Sequence, residues 1–114
     1  MLVPLAMLAC NLFSPGPAKT VETFLYAVDK GSLGEARKLC SAGAQGILRP
    51  VVDLWLTARM EKFQHAGGIR SIETTEQVLG ETATVHASVK FKNGNGERIE
   101  MRLAKEDGRW RIGL

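Results

Sequence analysis

After residue 16, the first half of the chain places apolar residues at the spacing of helices. The first run begins at Pro17 and puts four apolar side chains on one helical face, at i, i+3, i+4 and i+7: Val21, Phe24, Leu25 and Val28. Gly31 is expected to end this helix in the left-handed conformation. Ser32 and Glu35 have the spacing of a capping box, which predicts a short second helix. The apolar residues of that helix are Ala36, Leu39 and Cys40.

Pro50 is expected to begin a third helix, because proline favours the first helical turn. The side chains on its overlapping helical stripes are Val52, Trp55, Leu56, Arg59 and Phe63. Gly67-Gly68 is expected to end this helix. The preceding residues 41–46 are small, and they predict a loop.

Beyond Gly68 the apolar positions recur at every second residue, which predicts β-strands with one buried face. Three segments show this alternation, and their inward side chains are Ala83, Val85, Ala87, Val89 and Phe91, then Ile99, Met101 and Leu103, then Trp110, Ile112 and Leu114. Residues 69–79 are expected to form the strand before these. A turn at Gly80-Glu81 would then place Glu76 opposite Val85 and point it inward, unless a bulge reverses its orientation.

Two further turns determine how the later strands pair. Asp107-Gly108 predicts a two-residue turn. The connection around 93–96 must have an odd length, such as a loop over 93–95, to keep the apolar side chains on one face. The inward pairs predicted by these two turns are Leu103 with Ile112, Val89 with Ile99, and Ala87 with Met101.

This order of elements predicts an α+β domain, with three N-terminal helices packed on one face of a four-stranded antiparallel, curved sheet. The segments 17–40, 68–73 and 103–112 resemble the family of small bacterial lipoproteins of unknown function that have a nuclear-transport-factor-2-like (cystatin-like) fold. The resemblance covers residues 17–114. It implies the fold and leaves the activity open, since this superfamily contains enzymes, binding modules and accessory domains.

Residues 1–16 form an apolar leader and linker without a charged side chain, whereas 17–114 form the domain. The leader is shorter than the roughly 20 residues that span a bilayer. It has the length of the apolar part of a signal peptide, although the first basic residue is Lys19. Ala9-Cys10 resembles the end of a bacterial lipoprotein signal, which predicts export, lipidation of Cys10 and a place in the cell envelope. The alternative is an apolar helix that packs on the domain.

The composition is that of one soluble globular domain: 114 residues, of which 45% are hydrophobic and 24% charged. The net charge of +3 is too small to predict a nucleic-acid partner. Two cysteines do not make a disulfide framework. Cys40 is expected to be a buried thiol, and a bridge between Cys10 and Cys40 would compete with lipidation.

The sequence offers little catalytic chemistry. The two histidines, His65 and His86, lack a second ligand at metal-binding spacing, so we expect no metal. Phosphate-binding and nucleophile motifs are absent from the sequence, and no cofactor is predicted. The leading hypothesis is therefore a non-enzymatic, envelope-associated binding or accessory module. The alternative is a small-molecule-binding or isomerase-like enzyme with an apolar, cone-shaped pocket.

The resemblance implies which residues such an enzyme would use. Enzymes of this superfamily, such as ketosteroid isomerase, hold a carboxylate and a tyrosine in the cone between helices and sheet, where burial raises the pKa of the carboxyl. Tyr26 and Glu76 are the candidates in this chain. The other interpretation puts Glu76 at a solvated edge and Tyr26 beside the core.

The outer face of the sheet is the candidate docking surface. By the alternation of the strands it carries six basic or titratable residues: His86, Lys90, Arg98, Arg102, Arg109 and Arg111. The predicted register sets Lys90 opposite Arg98 and His86 opposite Arg102. Such a surface would dock an acidic protein or an anionic envelope component. The alternatives are a merely solvated face, or a homodimer through the sheet face, which the resemblance implies.

Overall fold

A computed structural model describes residues 15–113, and the expectations for Cys10 and Leu114 lie outside this range. The helices are α1 (Pro17–Asp29), α2 (Leu33–Lys38), α3 (Ala42–Gln45) and α4 (Arg49–His65). The strands are β1 (Ile69–Leu79), β2 (Thr82–Phe91), β3 (Gly96–Glu106) and β4 (Arg109–Gly113). In the described range, no helix has the length and apolarity needed to cross a membrane.

The four strands form an antiparallel sheet in the order β1-β2-β3-β4, and the helices cover one of its faces. The turn at Asp107-Gly108 has two residues with positive φ, of 52° and 76°, as expected for a tight hairpin turn. It pairs Leu103 with Ile112, which confirms the predicted register of β3 and β4. The predicted α+β architecture is therefore confirmed, with a short additional helix, α3.

The pairing of β2 with β3 differs from the prediction by one position in the loop. Ala87 faces Ile99 and Val89 faces Glu97, so the predicted pairs of Val89 with Ile99 and of Ala87 with Met101 are wrong. The loop has the predicted odd length but covers 92–94, and its last position, Gly94, has a φ of 94°. Glycine adopts this left-handed conformation without strain, whereas a loop over 93–95 would require it of an asparagine.

The end of α1 explains why the predicted capping box is absent. The N–H of Ser32 donates to the carbonyl of Ala27 (2.9 Å), and the N–H of Gly31 donates to that of Val28 (3.0 Å). These two bonds form a Schellman motif around Gly31, whose φ is 79°. Ser32 therefore serves the end of α1, and its side chain makes no capping bond to α2.

The segment after α2 joins the sheet, which the helical pattern did not predict. The N–H of Ile112 donates to the carbonyl of Leu39 (2.8 Å), and the N–H of Ser41 donates to the carbonyl of Ile112 (2.9 Å). The predicted loop over 41–46 contains α3, because the hydroxyl of Ser41 accepts a bond from the N–H of Ala44 (3.4 Å). Local hydrogen bonds thus turn a stretch of small residues into a helical turn.

Aromatic side chains from α1 and α4 fill the space above the sheet. The rings of Phe24 and Trp55 lie 6.2 Å apart, and those of Phe63 and Phe91 lie 5.3 Å apart. The predicted inward residues of β2 and β3 are all buried. Burial of these two apolar faces against each other is the main stabilisation of the fold.

Hydrogen bonds between separate elements define two ends of the molecule. We call the first the N-terminal end, where bonds from the helical layer to the sheet join Ala18 to Glu76 (3.0 Å) and Ala42 to Glu106 (3.1 Å), and a bond within the sheet joins Lys105 to Glu81 (2.9 Å). The second is the hairpin end, where the β2–β3 hairpin meets the C-terminal end of α4. There the N–H of Asn93 donates to the carbonyl of Ala66 (3.1 Å), and the N–H of Ile69 donates to the carboxylate of Asp29 (3.2 Å).

An ion-pair cluster fastens α4 to β3 near the hairpin end. Glu97 lies on the inner face of β3, 2.5 Å from the guanidinium of Arg59 and 3.3 Å from the ammonium of Lys62. Burial would raise the pKa of Glu97, but the hydrogen bonds and charges of Arg59 and Lys62 together outweigh it and lower the pKa. The guanidinium of Arg59 also lies 5.2 Å from the ring centre of Trp55.

The pKa of Glu97 predicts how stability depends on pH. Because the pKa is lower in the folded state, the ionised carboxylate stabilises the fold above its ordinary pKa of 4.5, and this contribution is lost as the pH falls through the folded value. We expect Glu97→Gln to lower the free energy of unfolding at neutral pH by roughly 1 to 2 kcal/mol. The difference from the unmodified protein should shrink in acid, as measured by urea denaturation at a series of pH values. Glu73→Gln, on the exposed outer face, is the control, and an equal loss there would contradict the assignment.

The burial of Cys40 predicts that its thiol reacts slowly with added reagents. Its side chain is fully buried, and burial raises its pKa to about 11 in spite of the nearby charges of Arg37 and Arg111. In a Cys10→Ser variant, we expect a disulfide reagent at about pH 8 to react with native Cys40 at least roughly a hundredfold more slowly than with the unfolded chain. An added Ser88→Cys change places a thiol on the exposed sheet face as a fast-reacting control. Similar native and unfolded rates for Cys40 would show that it is accessible.

Candidate functional site

The space between the helices and the sheet, where the alternative enzyme hypothesis would require a pocket, is filled by side chains. The side chains around it are Phe24, Leu25, Val28, Trp55, Arg59, Phe63, Ile99 and Met101. The gap that they enclose has no room for a water molecule. This part of the described structure is a packed core, and its one charged lining residue, Arg59, is paired with Glu97.

The structure places Tyr26 and Glu76 in separate environments. Glu76 pairs with Val85 as predicted, but its side chain is exposed and its carboxylate accepts a hydrogen bond from the N–H of Ala18 (3.0 Å). Tyr26 is half-buried against the core. It lies eight residues after Ala18 in α1, which corresponds to about 12 Å along the helix axis. The two side chains therefore do not meet in one pocket.

Glu76 has a structural task at the start of α1. The residue before this helix is Gly16, which has no side chain to cap the first turn. The carboxylate of Glu76 satisfies one of the free N–H groups there, and its negative charge suits the positive end of the helix dipole. The register shift in β1 lies between Ile69 and Ser71, so it leaves the predicted orientation of Glu76 unchanged.

Glu97 is the functional candidate that the sequence reasoning missed. It contributes to a cleft of about 460 Å³ between the last turns of α4 and the β2–β3 hairpin, together with Lys62, His65 and Asn93. The Oε1 atom of Glu97 is buried and has no hydrogen-bond partner among the described residues. The alternation of β3 already placed this position on the inner face, where a charged residue stands out. Since its pKa is lowered, the carboxylate suits a hydrogen-bond acceptor better than a proton acceptor near neutral pH.

The outer face of the sheet carries the predicted docking residues. His86, Lys90, Arg98, Arg102 and Arg109 are exposed there. The predicted charge pairs across this face are wrong because the register differs. Arg98 lies opposite Ser88, Lys90 opposite Gly96, Arg102 opposite Thr84, and His86 opposite Glu100, with 3.7 Å between ring nitrogen and carboxylate. The face therefore avoids like charges at directly opposed positions, which would destabilise it.

Arg111 differs from the other docking candidates. Arg111 lies on the edge strand β4, opposite Ala104 of β3. Its guanidinium donates a hydrogen bond to the carbonyl of Lys38 at the end of α2. A cation beside the C-terminal end of a helix is stabilising, because the helix dipole makes that end negative. Arg111 therefore serves the contact between β4 and α2, and the open face consists of the remaining residues.

A shallow groove of about 420 Å³ crosses β1, β2 and β3 on this face. The polar side chains that line it are Glu73, Thr75, His86, Ser88, Arg98 and Glu100. Within the described range, Arg98 has no carboxylate within ion-pair distance. The same range contains no cluster of three potential metal ligands among histidine, cysteine, aspartate and glutamate. The groove is thus equipped for polar and ionic contacts.

Comparisons with known proteins agree with this fold. The family model for a domain of unknown function, DUF4878, matches residues 9–113. A crystal structure from Campylobacter jejuni, described as a "putative NTF2-like transpeptidase", superimposes with a TM-score of 0.68 at 20% sequence identity. The match covers 88% of this chain and 99% of the other chain. No curated protein matches.

The structural match supports a statement about the fold alone, whereas the family model supports a statement about family membership. At 20% identity, the structural likeness shows a shared NTF2-like fold and nothing about activity. The family model spans nearly the whole sequence, including the described helices and strands. The chain therefore belongs to the DUF4878 family, a domain of unknown function, and has an NTF2-like α+β fold.

Proposed function

We propose that this protein is a non-enzymatic binding module of the bacterial cell envelope, which docks an acidic partner on the open face of its sheet. The observation that carries this proposal is the groove of about 420 Å³ on a sheet face that the helices leave uncovered. A binding protein needs an accessible, chemically specific surface, and this face offers hydroxyl, imidazole, guanidinium and carboxylate groups within one depression.

The interior supports binding over catalysis. The region where enzymes of this fold would hold a substrate is packed by aromatic and aliphatic side chains. Of the candidates for catalysis, Glu76 binds Ala18 at the start of α1, whereas Tyr26 lies about two helical turns further along α1. Glu97, an inward carboxylate of β3, is neutralised by Arg59 and Lys62. Because the space between helices and sheet in the described residues holds no cavity with a free acid or base beside it, the geometry favours surface recognition.

The charges of the sheet face favour an acidic partner. The exposed basic residues on this face are Lys90, Arg98, Arg102 and Arg109, against the exposed acids Glu73 and Glu100. Arg98 is available at the groove, since it has no carboxylate within ion-pair distance in the described structure. Attraction between this surface and a partner should weaken as salt concentration rises.

The location in the envelope rests on residues 1–16, which carry no charged side chain. Ala9-Cys10 follows an apolar run, as in a lipoprotein signal, and residues 11–16, which end in Ser-Pro-Gly, separate it from α1. A lipid on Cys10 would hold the domain close to the membrane, because the six residues between Cys10 and Pro17 reach only about 20 Å when extended. A cysteine lipid therefore explains both the leader and the short linker.

Charge reversal on the sheet face tests the docking surface. We expect Arg98→Glu with Arg102→Glu to weaken binding to isolated envelope fractions by roughly tenfold or more at low salt. The loss should be smaller at high salt, because screening already weakens the unmodified interaction. Binding is measured by co-sedimentation with the envelope fractions, and circular dichroism checks that the variant is folded.

The matched control is Lys19→Glu with Lys30→Glu, which makes the same change in net charge on exposed positions of the helical layer. This control should keep most of the binding. Equal losses in both variants, or no loss in the first, would contradict a docking site on the sheet. Light scattering at several concentrations detects the competing outcome, in which a second copy of the chain occupies the sheet face.

Substitution of the candidate lipidation site tests the location. In the bacterium that encodes the protein, we expect Cys10→Ala to remove a lipid modification detected by mass spectrometry and to lower the share of the protein found in the membrane fraction. Cys40→Ala is the control, because this thiol is buried and should not be modified. An unmodified Cys10 in the native membrane fraction would rule out the lipid anchor but would leave the sheet-face proposal standing.

A further inference from the structure

Six large apolar side chains are exposed in the described structure, and all lie toward the N-terminal end. Four belong to the start of α4 and the loop before it, and two end β1: Ile47, Leu48, Val51, Leu54, Val78 and Leu79. Ile47 is 94% exposed and Leu79 is 82% exposed. Side chains exposed to this degree gain nothing from the core, so they are a cost to solubility without a contribution to folding.

The two apolar groups sit on opposite layers of the same end. Glu76, just before the β1 group, accepts the hydrogen bond from Ala18 at the start of α1. Glu106 accepts one from Ala42, a few residues before the α4 group. The carbonyl of Glu81, next to the β1–β2 turn, accepts a bond from the N–H of Lys105 beside Glu106. These bonds place both groups toward the same end of the molecule.

The chain leaves the described structure at this same end. α1 begins at Pro17, and its first turn is held to β1 through Glu76. The fourteen residues before the described range, 1–14, carry no charged side chain and are mostly apolar. An uncharged apolar segment therefore continues from the end of the domain that exposes apolar side chains.

We propose that the N-terminal end of the domain lies on a lipid bilayer, with Ile47, Leu48, Val51, Leu54 and Leu79 entering the boundary between headgroups and acyl chains. The proposal rests on the envelope location proposed above, but not on a lipid at Cys10, because the apolar side chains contact the bilayer directly. Burial of several aliphatic side chains in this boundary supplies the attraction, as in other surface-bound proteins.

A bilayer fits these side chains better than a protein partner does. The two groups belong to different layers of the same end, so an extended surface matches them better than a small partner does. A single partner helix would cover the α4 group and leave Leu79 exposed. On a bilayer, the cleft beside Glu97 faces away from the lipid, because it lies at the hairpin end.

Fluorescence at single sites tests which end meets the lipid. The background is the full chain with Cys10→Ser, in which Cys40 is buried and the lipid anchor is removed. A polarity-sensitive dye is attached through Ile47→Cys, Leu79→Cys or, as the control at the hairpin end, Asn93→Cys. On addition of phosphatidylcholine–phosphatidylglycerol vesicles, we expect blue-shifted emission at positions 47 and 79 and none at 93. High salt should leave these shifts in place, since the contact is apolar.

A second variant tests whether the apolar group on α4, and not the leader alone, contributes to binding the vesicles. Val51→Ser with Leu54→Ser should raise the vesicle concentration needed for half of the shift at position 79 by roughly tenfold. Gln64→Ser, near the exposed end of the same helix, should not. An absent shift at 47 and 79, or an equal shift at 93, would overturn the proposal. A shift at 47 that needs no vesicles and grows with protein concentration would also overturn it, in favour of contact between two copies.

Discussion

The alternation of side chains along β2 and β3 constrains the rest of the molecule. One face of the sheet has to bury its apolar residues against α1 and α4, so a register that reversed this face would expose the core. The observed loop at 92–94 and the turn at Asp107-Gly108 both preserve the alternation. Glu97 occupies an inward position of β3 and breaks the apolar pattern there, and it is accommodated by Arg59 and Lys62 from α4.

The same alternation determines which surfaces of the molecule are available for binding. Because the apolar residues face the helices, the polar residues of the strands are left together on the open sheet face, with the groove around Arg98. The ends of the molecule differ in chemistry: the hairpin end has the polar cleft beside Glu97, whereas the N-terminal end exposes Ile47 and Leu79. If the N-terminal end rests on lipid, the sheet face and the cleft remain available to partners.

Much of this architecture follows from local sequence. The spacing of Phe24 and its neighbours predicted α1, and Gly31 predicted where it ends, because few other residues adopt a positive φ. The alternation of apolar and polar residues predicted the sheet and the residues that lie on its outer face. Arg98 and Arg102 were therefore assigned to the exposed surface without any knowledge of the tertiary structure. These features depend on the conformation of neighbouring residues, which the sequence encodes directly.

Contacts between distant residues were decided by the tertiary structure. A shift of one position in the loop around Gly94 changes every pair between β2 and β3 while preserving the buried face, so alternation by itself could not choose between the registers. Glu76 was a candidate for a pocket, but the free N–H of Ala18 lies within its reach and binds it. The sequence thus determined the elements and the side of the sheet on which each residue lies. Only the packing of helices on the sheet determined which polar groups meet, because that depends on where separate elements come together.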